Sequence, residues 1–126
     1  VLLGSPSERE RIEKVNILAG KRLHNTAGEL SLEEVAAIIK LAKLAICNDS
    51  GLMHLAASVG TNVIGLFGPH APQHSHPIGN CKSFCLYKKL ACSPCISSEF
   101  CKKNLKCMRS ILVSDVLHVI KTSNLL

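Results

Sequence analysis

Asp49, Ser50, Gly51 and His54 stand together in CNDSGLMHLAASVG, residues 47–60. Those residue types in that order suit an anion. A glycine at the start of a helix lets a ligand come close to the backbone. The helix N-terminus offers unpaired N–H groups and a partial positive charge. Ser50 adds a hydroxyl donor, and His54, one turn further in, can aim an imidazole N–H at the same ligand. Asp49 is the odd member beside an anion. It fits by holding the turn through backbone N–H groups, or by accepting from a ligand hydroxyl. The same residues also make an ordinary helix start, where Asp and Ser are favoured caps.

The flanking elements say where this constellation sits. LAIC (44–47) reads as a buried strand, 51–59 as a helix and NVIGLF (62–67) as the next strand. Upstream, VLLG reads as a short buried strand, with a turn at 4–7. Ser7 is then placed to cap a helix over 8–19, with Glu8 and Glu10 in its first turn, where the helix dipole favours acids. SLEE (31–34) is a capping box pairing Ser31 with Glu34. Leu32, Val35, Ala36, Ile39 and Ala42 follow as a helical apolar face. Continuous apolar strands alternating with helices predict an α/β fold on a parallel sheet. In such sheets ligands bind beyond the carboxyl ends of the strands, which is where residues 48–51 fall. Residues 68–109 show no clear period, and a last helix is expected over 113–122.

At 126 residues the chain is one domain's worth, and 47% hydrophobic content argues for a globular chain rather than a disordered one. No apolar run approaches the roughly 20 residues a membrane span needs. The chain opens on VLLG, without Met and already in a strand pattern, which reads as part of a longer protein. Its net charge of +6 is localised. Residues 1–81 balance, as do 110–126. Residues 82–109 hold Lys82, Lys88, Lys89, Lys102, Lys103, Lys106 and Arg109 against Glu99 alone. Such a segment suits phosphorylated or acidic partners or an anionic membrane surface, or is simply a solvated basic loop.

NDSGLMHLAASVGTNVIGLFGP (48–69) closely resembles the signature of family 9 glycosyltransferases, the lipopolysaccharide heptosyltransferases. ELSLEEVAAIIKLAKLAIC (29–47) resembles the helix and strand before it. Pro77 and Gly79 match a family loop, and the cysteine pattern of 92–108 resembles heptosyltransferase II and its relatives. The resemblance implies a GT-B enzyme, two Rossmann-like domains facing across a cleft. Residues 1–126 would be its C-terminal, donor-binding domain, incomplete at the N-terminus and carrying a Cys/Lys-rich insertion at about 81–109. Such enzymes transfer heptose from ADP-heptose to the lipopolysaccharide inner core, with inversion and without a required metal or cofactor. Carried over by position, Asp49, Ser50, Gly51 and His54 would surround the ADP diphosphate and nearby sugar. Leu30 would pack on the adenine, and Glu8 would accept from the ribose hydroxyls, a task that suits a carboxylate. Glu8 is equally a helix N-terminal acid and Leu30 a core residue.

The general base implied is an Asp of the missing N-terminal domain, so no catalytic residue is expected here beyond His54 as an assistant. The partners implied are the nucleotide-sugar donor, a phosphorylated core acceptor and the N-terminal domain, with no nucleic acid. The expected location is cytoplasmic, with a peripheral position at the inner face of the inner membrane as the variant. One departure stands out: the family usually has Thr after LFGP, whereas this chain has His70.

Seven cysteines cannot all pair internally. Cys92, Cys95, Cys101 and Cys107 could complete a zinc tetrahedron, but only one close pair has the usual spacing. Reduced thiols are the default for a cytoplasmic protein, with a disulfide as the lesser alternative. His70, His74, His76 and Cys81 are a second metal candidate, set against plain solvated histidines. Two other functions compete with the transferase. One is a different GT-B nucleotide-sugar enzyme. The other is a zinc or nucleic-acid module on the basic Cys segment, which has only Phe84, Tyr87 and Phe100 for stacking.

Overall fold

The computed structural model describes residues 1–95, 101 and 104–126. Glu99, Phe100, Lys102 and Lys103, which entered the charge and stacking arguments, lie outside the described residues. The chain resolves into two compact units, residues 1–38 and 39–126.

In the first unit the expected strand at VLLG shrinks to a single parallel bridge, Leu2 with Asn25. Leu2 donates to His24 O at 2.7 Å and accepts from Thr26 N–H at 3.0 Å. The helical segment begins as a 3-10 turn, Pro6–Glu8, and continues as α1, Arg9–Leu18. Its start is organised by Ser5, not by Ser7 as the sequence suggested. Ser5 N–H and Oγ both donate to Glu8 Oε2, at 2.9 and 2.8 Å. Pro6 explains the shift, because proline is favoured in the first turn and so moves the cap one step before itself. Gly28 has φ +76°, and a side chain there would press on the Pro6 backbone, so only glycine lets the two segments approach. The capping box at Ser31 forms as expected: Ser31 N–H donates to Glu34 Oε2 at 2.8 Å and Glu34 N–H to Ser31 Oγ at 3.3 Å. It opens α2, Leu32–Leu41. Of the expected apolar face, Ile39 is buried and Val35 and Ala36 half-buried, while Leu32 is 66% exposed.

In the second unit three parallel strands lie in the order β1-β2-β3: β1 Leu44–Asn48, β2 Asn62–Phe67 and β3 Ser83–Tyr87. Asn48 pairs with Leu66, and Gly65 with Cys85. Between β1 and β2 runs α3, Gly51–Ser58. Its Met53, Ala56 and Ala57 are buried, as are Val63, Ile64 and Phe67 of β2, and together they form the core of the unit. The expectation that 44–47 is buried is corrected. β1 has a strand neighbour on one side only among the described residues, and Ile46 is 51% exposed.

β3 falls in the stretch without sequence period. All five of its residues are half-buried, so no alternation marks it. A short helix, α4 (Lys106–Arg109), also went unread, and α5 (Val113–Thr122) lies where the sequence placed it. Two lysines of the basic segment are used internally. Lys88 Nζ pairs with Asp115 at 2.9 Å, and Lys82 Nζ donates to Ser123 O at 3.1 Å. No helix among the described residues is long and apolar enough to cross a membrane.

Candidate functional site

β1 ends at Asn48, the chain turns through Asp49 and Ser50, and α3 starts at Gly51. The structure therefore places Asp49, Ser50 and Gly51 beyond the carboxyl end of a parallel strand, at a helix N-terminus, as their types suggested. Ser50 is extended, with φ −157° and ψ 168°, and its hydroxyl makes no capping hydrogen bond. Its side chain is thus not used as an ordinary cap, and the first amides of α3 do not have it as a partner. Its carbonyl is used, accepting from Met53 N–H at 3.1 Å. Around the Cβ position of Gly51 there is open space. The fold does not need a glycine here for room; a ligand approaching the helix end would. His54 is exposed one turn into α3.

A hollow of about 270 Å³ opens at the carboxyl ends of β1 and β2. Asn48 and Asp49 form one wall, Leu66 and Gly68 another. His70, Leu105 and Met108 close it. Ser50, Gly51 and His54 are not part of this lining, so Asp49 is the member of the constellation that faces it. Gly68 lies tight against Met108, where any side chain would collide with the thioether. Leu105 is held in the left-handed region at φ 51°, an unusual conformation for leucine.

Asp49 meets two titratable groups among the described residues. His70 Nδ1 lies 3.5 Å from Asp49 Oδ2. The Cys85 thiol of β3 is pushed up in pKa first by burial and then by the negative charge of Asp49. His70 stood out in the sequence as a departure from a family pattern and as one member of a histidine-rich metal candidate; its meeting with Asp49 had no local signal.

The other expected donor residues lie in the first unit. Glu8 spends Oε2 on Ser5, and these two bonds, backbone first and then hydroxyl, hold its carboxyl below the usual carboxylate range. Leu30 is half-buried just before the Ser31 capping box.

Cys47, Cys81, Cys85, Cys92, Cys101 and Cys107 are not paired in disulfides. Among the described residues no cluster of three or more His, Cys, Asp or Glu could hold a metal. Cys92, Cys95, Cys101 and Cys107 are therefore not gathered into a zinc site, nor are His70, His74, His76 and Cys81. Cys95 Sγ instead donates to Cys92 O at 2.7 Å, Cys101 Sγ accepts from Leu105 N–H at 3.3 Å, and Cys107 is buried. Burial pushes the Cys47 and Cys81 thiols up. A larger hollow, about 490 Å³, opens among Leu90, Ala91, Cys92 and Lys106. Among the described residues that line it, Lys106 carries the charge.

Comparison with known proteins bears on this geometry. The profile described as glycosyltransferase family 9 (heptosyltransferase) matches residues 1–106. The lipopolysaccharide core heptosyltransferase OpsX of Haemophilus influenzae is 35% identical over 82 residues, which is 64% of this chain and 24% of that protein. Lipopolysaccharide heptosyltransferase 2 of Salmonella typhimurium is 33% identical over 84 residues, again 64% of this chain and 24% of the relative. The chain thus spans about a quarter of the length of these curated relatives. A crystal structure of a family 9 glycosyl transferase from Veillonella parvula superposes with a TM-score of 0.71 at 22% identity, over 95% of this chain and 34% of that one. That likeness shows the Rossmann-like fold.

Proposed function

The chain belongs to glycosyltransferase family 9, and from that membership we propose that residues 1–126 are the donor-binding domain of a GT-B heptosyltransferase. The donor is ADP-heptose and the acceptor the phosphorylated inner core of lipopolysaccharide. The observation that carries this reading is the placement of Asp49, Ser50 and Gly51 at the carboxyl end of β1, with open space at Gly51 and the Ser50 hydroxyl not used as a cap. That is where an α/β sheet binds ligands and where a helix N-terminus favours a diphosphate.

In the proposed mechanism an Asp outside this chain deprotonates an acceptor hydroxyl. The oxygen attacks the anomeric carbon from the face opposite the leaving group, and ADP departs with inversion. Negative charge builds on the leaving diphosphate, where the α3 N-terminus is already oriented to stabilise it. Ser50 donates from its hydroxyl, and His54 assists from one turn inside the helix. Glu8 accepts from the ribose hydroxyls, for which Oε1 is the oxygen not engaged in the two Ser5 bonds, and Leu30 packs on the adenine. No metal or cofactor takes part. Its place of work is the cytoplasm or the inner face of the inner membrane, with the basic segment toward the acceptor or the lipid surface.

Titration of ADP, UDP and GDP into the ¹⁵N-labelled protein tests the donor. ADP-selective amide shifts at Glu8, Leu30 and 49–54 are expected. Equal responses to all three nucleotides would favour a different GT-B nucleotide-sugar enzyme, and shifts confined to the basic Cys segment would sink the donor assignment.

A further inference from the structure

We propose that His70 supplies the countercharge that lets Asp49 stand in an anion site, so that a diphosphate binds together with a proton taken up on this imidazole. The inference rests on the donor-site reading above and goes beyond it in naming the residue that sets the charge of the site.

The difficulty it resolves is electrostatic. Asp49 forms part of the wall of the hollow beyond β1 and β2, with its side chain 21% exposed. A carboxylate there repels an incoming diphosphate, although the neighbouring helix N-terminus attracts it. His70 closes the same hollow, with Nδ1 3.5 Å from Asp49 Oδ2 and the side chain 62% exposed. With Nδ1 turned toward the carboxylate, Nε2 is the ring nitrogen left for a ligand. The pair is anionic when the imidazole is neutral and has no net charge when it is protonated. A bound diphosphate favours the protonated form. Binding and protonation therefore promote each other.

The groups around the pair restrict which of them can titrate. Asp49 comes from the end of β1 and Cys85 from β3. Burial and the Asp49 charge both hold the Cys85 thiol protonated near neutral pH. Among the described residues, those lining it from the α4 side, Leu105 and Met108, carry no charge. From α3 the titratable side chain is His54. Among the described residues, the histidines this leaves are His70, in the wall of the hollow, and His54 of α3, outside its lining.

The test is calorimetry of ADP-ribose binding to the full-length protein. Both phosphates of this probe are esterified, so its charge is constant between pH 6 and 8. Measuring in two buffers of different ionisation heat counts the protons taken up. Wild-type protein should take up a substantial fraction of a proton near pH 7 and bind about tenfold more weakly at pH 8 than at pH 6, the scale expected for one unit charge a few ångströms away in partly solvated surroundings. His70→Gln, at an exposed position, should melt like wild type, still bind, and lose both effects. His54→Gln, which removes a donor-site side chain, should bind more weakly at every pH yet retain proton uptake and the weaker binding at pH 8. Proton uptake of zero in the wild type, or uptake unchanged in His70→Gln, would overturn the proposal while leaving the donor site standing. Failure of the wild type to bind either ADP or ADP-ribose at any pH would instead remove the donor-site reading, and this inference with it.

Discussion

One methyl group, placed at two different glycines, separates what the fold requires from what a ligand requires. At Gly51 the added Cβ meets nothing within 4 Å. The residue is the first of α3 and its backbone is not left-handed, so alanine fits without strain. Glycine loses more backbone entropy on folding than alanine does, and the exchange should stabilise by about 0.5 kcal/mol, raising Tm by about 2 °C. At Gly79 the same methyl would collide with the Ala57 carbonyl of α3, a backbone group that cannot rotate aside. Overpacking of this kind costs about 1–3 kcal/mol, or more against backbone, and should lower Tm by roughly 5–10 °C. Ligand binding should respond in the opposite order. In the proposed donor site, a methyl at Gly51 would stand in the space through which a phosphate reaches the first amides of α3. Losing one charge-assisted hydrogen bond there costs about 1.5–3 kcal/mol, a roughly 10- to 150-fold weaker Kd for ADP. Thermal unfolding followed by circular dichroism gives the first quantity and calorimetry with ADP the second. A Gly51→Ala protein that melts as low as Gly79→Ala would show that the glycine serves the fold. One that binds ADP like wild type would show that no phosphate approaches this helix end.

Thr61→Val should lower stability by about 1 kcal/mol and Tm by about 3–5 °C. Buried Thr61 donates to Ile39 O at 2.7 Å, but that carbonyl also accepts from Ala42 N–H at 3.0 Å, so the loss stays at the modest end. Thr61→Ser should sit close to wild type, and an unchanged urea midpoint for Thr61→Val would mean the bond contributes nothing. Asp115 should shape the acid limb of the stability curve. The Leu112 N–H first, and then Lys88, hold its carboxyl below the usual carboxylate range. Its stabilising contribution is therefore complete above the ordinary Asp pKa and disappears as pH falls through the depressed one. Asp115→Asn should flatten that part of a pH titration of Tm, and an identical acid limb in the variant would refute the assignment.

Several elements of this protein were determined locally and could be read from sequence. Strand β2, helix α5 and the Ser31–Glu34 capping box depend on residues a few positions apart, so apolar period and capping chemistry suffice to place them. The helix start after Asn48 is of the same kind, and it alone puts Asp49, Ser50 and Gly51 at a strand's carboxyl end. What no window of sequence contains is which distant groups then meet. Ser5 rather than Ser7 takes up Glu8, because Pro6 sets where that helix begins. β3, half-buried along its length, earned its place by pairing with β2 and not by any pattern of its own. Lys82 and Lys88 look like free charge in the sequence, yet in the fold they meet Ser123 and Asp115. The Asp49–His70 contact is the clearest case. Parallel pairing of Asn48 with Leu66 brings the ends of β1 and β2 side by side, so the residues just beyond each strand share one hollow. The types of Asp49 and His70 are a property of the chain. Their distance is a property of the sheet, because only strand register converts far-apart positions into neighbours.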